Sequence, residues 1–376
     1  MSKLHVIQVA NGSNPYNNTI GGIVTYISDI VGVTTLDDKI DNSEMRHSII
    51  GSGLPLFDGY ICLSKKIYPN VVFLILLFLN LHRFPDSPSV VYHIHTNYLG
   101  LPFFLFKRKS KRILTVHGIT DVTRKKRKTY AAYLLYRLLN IITVRGYHGL
   151  IADTQAALDH FSKRYRVKEG CKECVIPTGV NTNVFYPKDK LEYRQKHGIS
   201  PQSKVFLFAG RFVWEKNIEL ILDAYSIFSR DYRGDCCLLL IGDGYLMAKI
   251  RAIVSKKQLS DVFFLGSLSR NEVSEHMSLS DVFIITSFIE GGPITLKEAL
   301  ACNLPVVSVP VGDVKEVLPD FPGCLLCEYD ASSISTALMD VVTSKESIDY
   351  SDAIVKYSMT EFRSKIIDFY REIVSD

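Results

Sequence analysis

No apolar run in this 376-residue chain is long enough to cross a bilayer. The longest, VVFLILLFLNL at 71–81, falls short of the roughly 20 residues that a spanning helix needs. It reads instead as a core helix or a membrane-surface element. A secretory signal is also missing, because Met1-Ser2-Lys3 leads straight into the strand-like LHVIQVA, so the expected location is cytoplasmic. The eight cysteines are scattered through a large chain, which argues against a disulfide framework. Cys171/Cys174 and Cys324/Cys327 form two C-x-x-C pairs, far apart in sequence and flanking strands on which residues three apart face opposite ways. No metal site is expected from them. There is no internal repeat and no low-complexity tract.

What is present describes a globular protein of two domains: 47% hydrophobic residues, 22% charged and a net charge of only +5. The most informative stretch is Asp281 to Pro305, DVFIITSFIEGGPITLKEALACNLP. Val282–Ile285 is a continuous apolar run, the pattern of a parallel strand buried on both faces. The turn Glu290-Gly291-Gly292 follows, and Pro293 stands where a helix begins. Leu296, Ala299 and Leu300 carry an apolar stripe at helical spacing. Asn303 accepts the left-handed conformation that ends a helix, and Pro305 prevents its resumption. A helix start behind a glycine turn, near Ile294, offers backbone N–H groups to phosphate or hydroxyl oxygens. Glu290 and Glu298 bracket that start, and carboxylates accept hydrogen bonds from vicinal hydroxyls of a ribose or hexose. The bland alternative is a plain strand–helix unit with both glutamates solvated.

The first half alternates strands and helices. LHVIQVA is followed by a loop holding Gly21-Gly22, which permits close approach of a ligand to the backbone, and by the helical IVTYISDIV. VVYHIHT at 90–96, RILTVHG at 112–118 and GLIADTQ at 149–155 read as buried strands with polar exits. His95 and His117 sit at such exits, where open α/β sheets bind ligands. His117 is the stronger candidate, placed to donate to a sugar hydroxyl or to stabilise developing charge.

Charge is most uneven between 107 and 128. Lys107, Arg108, Lys109, Lys111, Arg112, Arg124, Lys125, Lys126, Arg127 and Lys128 are opposed only by Asp121. In the adjoining TYAAYLLYRLLNIITV, Tyr130, Tyr133, Leu134, Arg137, Leu138 and Ile141 recur at helical spacing. Basic residues beside such a helix suit an anionic membrane surface. A nucleic acid could use the charge as well, and an ordinary domain helix beside a solvated loop is the bland reading.

In the second half, Val205–Ala209 runs into Gly210-Arg211, and Glu215-Lys216-Asn217 precedes a helix. Arg211 and Lys216 are two cations near a strand end, suited to a pyrophosphate. Two further strands, CCLLLIGDG at 236–244, with Gly242 in its turn, and VFFLGSLS at 262–269, end in glycine turns.

Glu290, seven residues and Glu298, with Gly291-Gly292-Pro293 after the first, resemble the donor-binding signature of family 4 glycosyltransferases, the retaining GT-B enzymes. The order Gly-Arg, Glu-Lys, Gly-Asp-Gly, Leu-Gly and then the paired glutamates is similar to that family's nucleotide domain throughout 200–376. CVIPTGVNTNVFYP at 174–187 resembles the segment leading out of its first domain, with Thr178 and Asn181 as departures. The resemblance implies an α/β protein of two Rossmann-like domains facing across a cleft. An acceptor domain would span 1–190, a donor domain 191–355, and a C-terminal helix at 356–376 would cross back to the first domain. It implies retaining, metal-independent transfer of a sugar from a nucleotide diphosphate sugar, UDP- or GDP-linked, to an acceptor hydroxyl, with no cofactor.

In that reading Arg211 and Lys216 stabilise the leaving diphosphate and Glu298 holds the ribose. Glu290 and the backbone of Gly291, Gly292, Pro293 and Ile294 hold the sugar, and His117 reaches it from the first domain. Gly21, Gly22 and Gly242 line the donor. Arg124, Lys125, Lys126, Arg127 and Lys128, with Tyr130 and Tyr133, would face a lipid-linked or membrane-proximal glycan acceptor on the inner membrane face. Nucleic acid is not an expected partner. Two other readings stay open. One is a nucleotide-sugar 2-epimerase of the same architecture; the other is a non-catalytic binder of anionic surfaces or nucleic acid.

Overall fold

The computed structural model of the protein describes residues 3–11, 26, 27, 30, 45–52, 60–64, 69–117, 130–344 and 348–375. Gly21, Gly22 and Arg124 to Lys128 lie outside the described residues, as does the side chain of Tyr130.

The continuous apolar runs form two parallel sheets. The first takes Leu4–Val9 (β1), Met45–Ser52 (β2), Tyr60–Ser64 (β3), Val90–Ile94 (β4), Lys111–Val116 (β5), Gly149–Ala152 (β6) and Lys172–Val175 (β7), in the order β3-β2-β1-β4-β5-β6-β7. The second takes Lys204–Ala209 (β8), Cys236–Ile241 (β9), Val262–Gly266 (β10), Val282–Ile285 (β11), Val306–Ser308 (β12) and Leu325–Leu326 (β13), in the order β10-β9-β8-β11-β12-β13. Every residue of β4 and of β11 is buried, as expected for strands covered on both faces. In each sheet the order reverses beside the first strand, between β1 and β4 and between β8 and β11. Ligands of open α/β sheets bind beyond the carboxyl ends of strands at such a reversal.

The chain divides into two compact units, Met1–Thr178 with Phe362–Asp376, and Gly179–Glu361. The division falls before the expected boundary at 190, and residues 184–194 belong to the second unit. That segment is tied into the second unit: Phe185 is buried in its core, and Ser274 Oγ donates to the Val184 carbonyl at 2.7 Å. Arg194 Nη2 and Lys190 Nζ each pair with Asp281 at 2.7 Å.

The last helix, Met359–Ser375, passes into the first unit at Phe362, close to the expected 356–376 segment. Tyr370 and Ile373 are buried there, and Glu372 pairs with Lys172 at 2.9 Å.

Both C-x-x-C pairs are free thiols, Cys171 and Cys174 in the first unit and Cys324 and Cys327 in the second. Burial pushes the Cys171 thiol up to about 12 and Cys327 up to about 11, which keeps both protonated and unreactive.

Residues 71–81, expected as a core helix or a membrane-surface element, form the helix Asn70–Leu79 and the start of a short 3-10 turn. Phe73, Leu74 and Leu77 face the core, while Val71, Ile75 and Leu79 are exposed, at 53%, 53% and 68%.

Candidate active site

In the second unit the site grows from the ends of β8 and β11. β8 runs into Gly210 and the exposed Arg211. A short 3-10 turn, Trp214–Lys216, leads through Asn217, in the left-handed conformation at φ 48°, into the helix Ile218–Asp231. This turn folds Lys216 back over the strand end, so its Cε lies 3.6 Å from where a Cβ on Gly210 would stand. Arg211 and Lys216 therefore share the carboxyl end of β8.

The segment after β11 is laced to the same turn. Thr286 Oγ1 donates to the carbonyls of Lys216 at 3.1 Å and Asn217 at 3.0 Å, and the Phe288 N–H donates to the Glu215 carbonyl at 2.8 Å. These bonds carry Glu290 to Lys216, whose ammonium pairs with Glu290 Oε1. Ser287 Oγ donates to the same oxygen at 2.7 Å. Gly291, Gly292 and Ile294 are half-buried around the turn, and Pro293 is buried.

The helix Ile294–Ala301 begins immediately after Pro293, with no side-chain cap among the described residues. Its first turn presents backbone N–H groups and the positive end of its dipole beside the glycine turn. It ends as its sequence dictates. Asn303 adopts φ 56°, its N–H reaches the Leu300 carbonyl at 3.0 Å, and the Leu304 N–H reaches Ala299 at 3.0 Å, a complete Schellman closure.

Glu298 is buried on this helix, 7% exposed, with Arg270 Nη2 3.4 Å from Oε1. Two other groups escaped the sequence reading. Lys297 is fully buried and its ammonium pairs with Asp313, itself 5% exposed. A Cβ on Gly292 would meet Asp313 Oδ2 at 2.9 Å and Lys297 Nζ at 3.2 Å, so that position has no room for a side chain. Gly242 also proves to be a packing residue. At φ 127°, its Cβ would fall 1.9 Å from the Gly210 carbonyl oxygen, and the missing side chain lets the ends of β8 and β9 close together.

A cavity of about 570 Å³ in this unit opens at the opposite, amino-terminal ends of the strands, among Ser203, Asp235 and Asp261. It belongs to neither glycine turn.

In the first unit, His117 follows β5 and is half-buried. His95 follows β4 and is buried, with its Nδ1 3.1 Å from His117 Nε2. Burial pushes His117 down to about 4, so its ring is neutral near neutral pH. The structure thus groups Arg211, Lys216, Glu290, Gly291–Ile294 and Glu298 in one unit, and places His117 in the other.

Comparison with known proteins decides what this arrangement belongs to. Residues 39–184 match the family model Glycosyltransferase Family 4, and residues 189–358 match Glycosyl transferases group 1. The chain belongs to the family 4 glycosyltransferases.

Among relatives of this glycosyltransferase, an uncharacterized glycosyltransferase of Methanocaldococcus jannaschii is 26% identical over 88% of this chain and 87% of its own. The UDP-Gal:alpha-D-GlcNAc-diphosphoundecaprenol alpha-1,3-galactosyltransferase of Escherichia coli is 28% identical, covering 68% of this chain and 67% of its own. The fold is shared with the Anabaena HepE protein solved with UDP and glucose. There the TM-score is 0.75 at 14% identity, over 98% of this chain and all of the other. The architecture is therefore GT-B, with two parallel-sheet Rossmann-like domains, and the enzyme transfers sugar from a nucleotide sugar.

The glutamates of this glycosyltransferase are expected to divide their labour. Glu298→Gln should weaken binding of the free nucleoside diphosphate, and Glu290→Gln that of the intact donor only. Each loses one charge-assisted acceptor, about 1 kcal/mol or roughly fivefold in affinity. Calorimetric titration of each variant with both ligands checks this; equal effects on both ligands refute the division.

Proposed function

We propose that the enzyme is a hexosyltransferase that moves its sugar from a UDP- or GDP-linked donor to a hydroxyl of a lipid-linked or membrane-proximal glycan. Anomeric configuration is retained, and no metal takes part. The observation that carries this reading is the meeting of Lys216 and Glu290 at the β8–β11 reversal, with Arg211 on the same strand end. The ammonium and the carboxylate satisfy each other. A bound donor exchanges that pair: its diphosphate takes Lys216 and Arg211, and Glu290 turns to accept from sugar hydroxyls. Glu298 accepts from the ribose. Developing negative charge on the leaving diphosphate is met by these cations and by the first turn of the helix at Ile294. His117 contributes a contact to the transferred sugar.

The test is turnover of UDP- and GDP-hexoses with and without a glycan acceptor, in the presence of a chelator, with the product anomer read by NMR. Retention that survives chelation supports the proposal. Inversion, or loss of turnover with chelator, overturns it, and conversion of the donor without an acceptor would favour an epimerase instead.

A lipid-linked acceptor is supported by an apolar face on the first unit. No helix among the described residues is long and apolar enough to cross a membrane. Yet the helices Asn70–Leu79 (α1), Leu101–Phe106 (α2) and Tyr130–Val144 (α3) touch in sequence, with the Phe78 and Phe106 rings edge to face at 6.2 Å. Val71, Ile75 and Leu79 on α1, Leu105 and Phe106 on α2, and Leu134, Leu135, Leu138 and Ile142 on α3 are exposed. The exposed Arg108 and Lys109 follow α2, and the basic run Arg124–Lys128 precedes α3. An apolar helix face beside cations matches the boundary of an anionic bilayer. The Escherichia coli relative named above takes a diphosphoundecaprenol-linked sugar by its name, and an Acholeplasma laidlawii relative is named an alpha-monoglucosyldiacylglycerol synthase.

Wild type is expected to co-sediment with anionic liposomes at low salt and to leave them at high salt, since each basic residue contributes about 1 kcal/mol near the surface. Neutralising Arg124 to Lys128 should weaken binding, and Leu134→Ser with Leu138→Ser should weaken it independently of salt. Wild type remaining in the supernatant at low salt sinks the membrane proposal and leaves the donor site untouched.

A further inference from the structure

The first unit buries a chain of polar side chains across three neighbouring strands and the last helix. Gln8 on β1, His93 on β4, Thr115 on β5 and Tyr370 on the last helix are all at most 1% exposed, and His95 beside them is 3% exposed. Their bonds are continuous. Gln8 Nε2 donates to Tyr370 Oη at 3.2 Å, and that hydroxyl lies 2.6 Å from His93 Nδ1. His93 Nε2 lies 2.6 Å from Thr115 Oγ1. On the other side, Gln8 Oε1 lies 2.8 Å from His95 Nε2, and His95 Nδ1 lies 3.1 Å from His117 Nε2.

With the Gln8 carbonyl oxygen turned toward His95, the proton positions follow by elimination. An amide oxygen only accepts, so His95 Nε2 carries hydrogen. Burial pushes His95 well down, so its ring is neutral and Nδ1 holds a lone pair. His117 Nε2 must then be the donor, and a neutral His117 presents Nδ1 as an acceptor. The same logic closes the other branch. Tyr370 accepts from Gln8 and donates to His93 Nδ1, and His93 Nε2–H donates to Thr115. Turning the Gln8 amide by 180° would reverse every bond and convert His117 Nδ1 into a donor. The amide that decides stands one ring away from His117, and Tyr370 Oη, able to donate or accept, couples it to His93.

We propose that Gln8 is a positioning residue: through His95 it fixes the tautomer of His117, so that His117 Nδ1 accepts a hydrogen bond from a substrate hydroxyl. This rests on the placement of His117 at the transferred sugar and reverses the donor role expected from sequence. The second shell of an imidazole commonly sets which ring nitrogen carries the proton.

The experiment uses the full chain labelled with nitrogen-15 histidine, and long-range nitrogen–proton correlation spectra that read the protonated nitrogen of each ring. In wild type, His117 is expected to carry its proton on Nε2. In Gln8→Met, which keeps the volume and removes both bonds, His117 should move toward a mixture of tautomers. Its kcat should fall on the order of tenfold to a hundredfold, with donor KM little changed. Tyr370→Phe, which removes the amide's partner on the far side from His95, should shift the ring in the same direction. Wild-type His117 protonated on Nδ1 overturns the proposal even if no variant folds. Unchanged His117 signals in both variants overturn it too, as does a shifted tautomer with unchanged kcat while His117→Ala is inactive. A fully active His117→Ala instead overturns the placement of His117 at the sugar, and the spectra still decide what Gln8 does.

Discussion

Lys216→Ala is expected to lower kcat/KM by roughly 30- to 1000-fold, and Arg211→Ala to act in the same range, with both proteins folded. Breaking a glycosidic bond to a diphosphate throws negative charge onto the leaving oxygens. A cation already fixed beside them needs no reorganisation in the transition state, an effect of about 2–4 kcal/mol when removed. Lys216 is held at that strand end by its stem over Gly210, and its ammonium exchanges Glu290 for the diphosphate on donor binding, before the bond breaks. Arg211 is exposed and leaves the core untouched when truncated. The Lys216 variant keeps Ser287 Oγ as a donor to Glu290, so its thermal midpoint should fall only slightly. The measurements are kcat/KM for the donor and the thermal midpoint of each variant. Near-normal kcat/KM in both variants would overturn the assignment of these cations to the leaving group.

The largest stability effect is expected at Lys297. Its side chain has no exposure and its ammonium pairs with an Asp313 carboxylate that is 6% exposed. Lys297→Met strands that carboxylate in the protein interior, and breaking one side of a buried pair costs about 3–5 kcal/mol. Asp313 Oδ1 already has no hydrogen-bond partner among the described residues, so nothing nearby takes over the charge. Combining Lys297→Met with Asp313→Leu removes both charges and should recover most of the loss, because the pair's desolvation penalty disappears with its attraction. Urea unfolding of both single variants and the double variant forms the cycle. Additive losses in the double variant would show that the two groups do not act as a pair. Since Gly292 packs on this pair, donor affinity of the double variant also reads how far the pair supports the glycine turn.

The sequence by itself determined the central strands and the ends of the helix after the glycine turn, but not the outer strands Met45–Ser52, Tyr60–Ser64, Lys172–Val175 and Leu325–Leu326. Val282–Ile285 is apolar without alternation and short, bounded by a glycine turn, the pattern of a strand covered on both faces, and Asn303 with Pro305 stops the helix wherever it packs. These are local properties of neighbouring residues. It also marked Glu290, Glu298, Arg211 and Lys216 by their spacing around glycine turns. Tertiary structure decided the partners. Lys216 and Glu290 are 74 positions apart and meet only because β8 and β11 are neighbours across the reversal of strand order. Lys297 and Glu298 look like the solvated side of an amphipathic helix, yet both are buried, because a short helix enclosed on every side leaves its charged residues no route to water and forces each to find an ion partner. The same holds in the first unit. Gln8, His93 and Tyr370 are unremarkable one by one, and only the parallel pairing of β1 with β4, under a helix from the far end of the chain, makes them one hydrogen-bonded chain ending on His117.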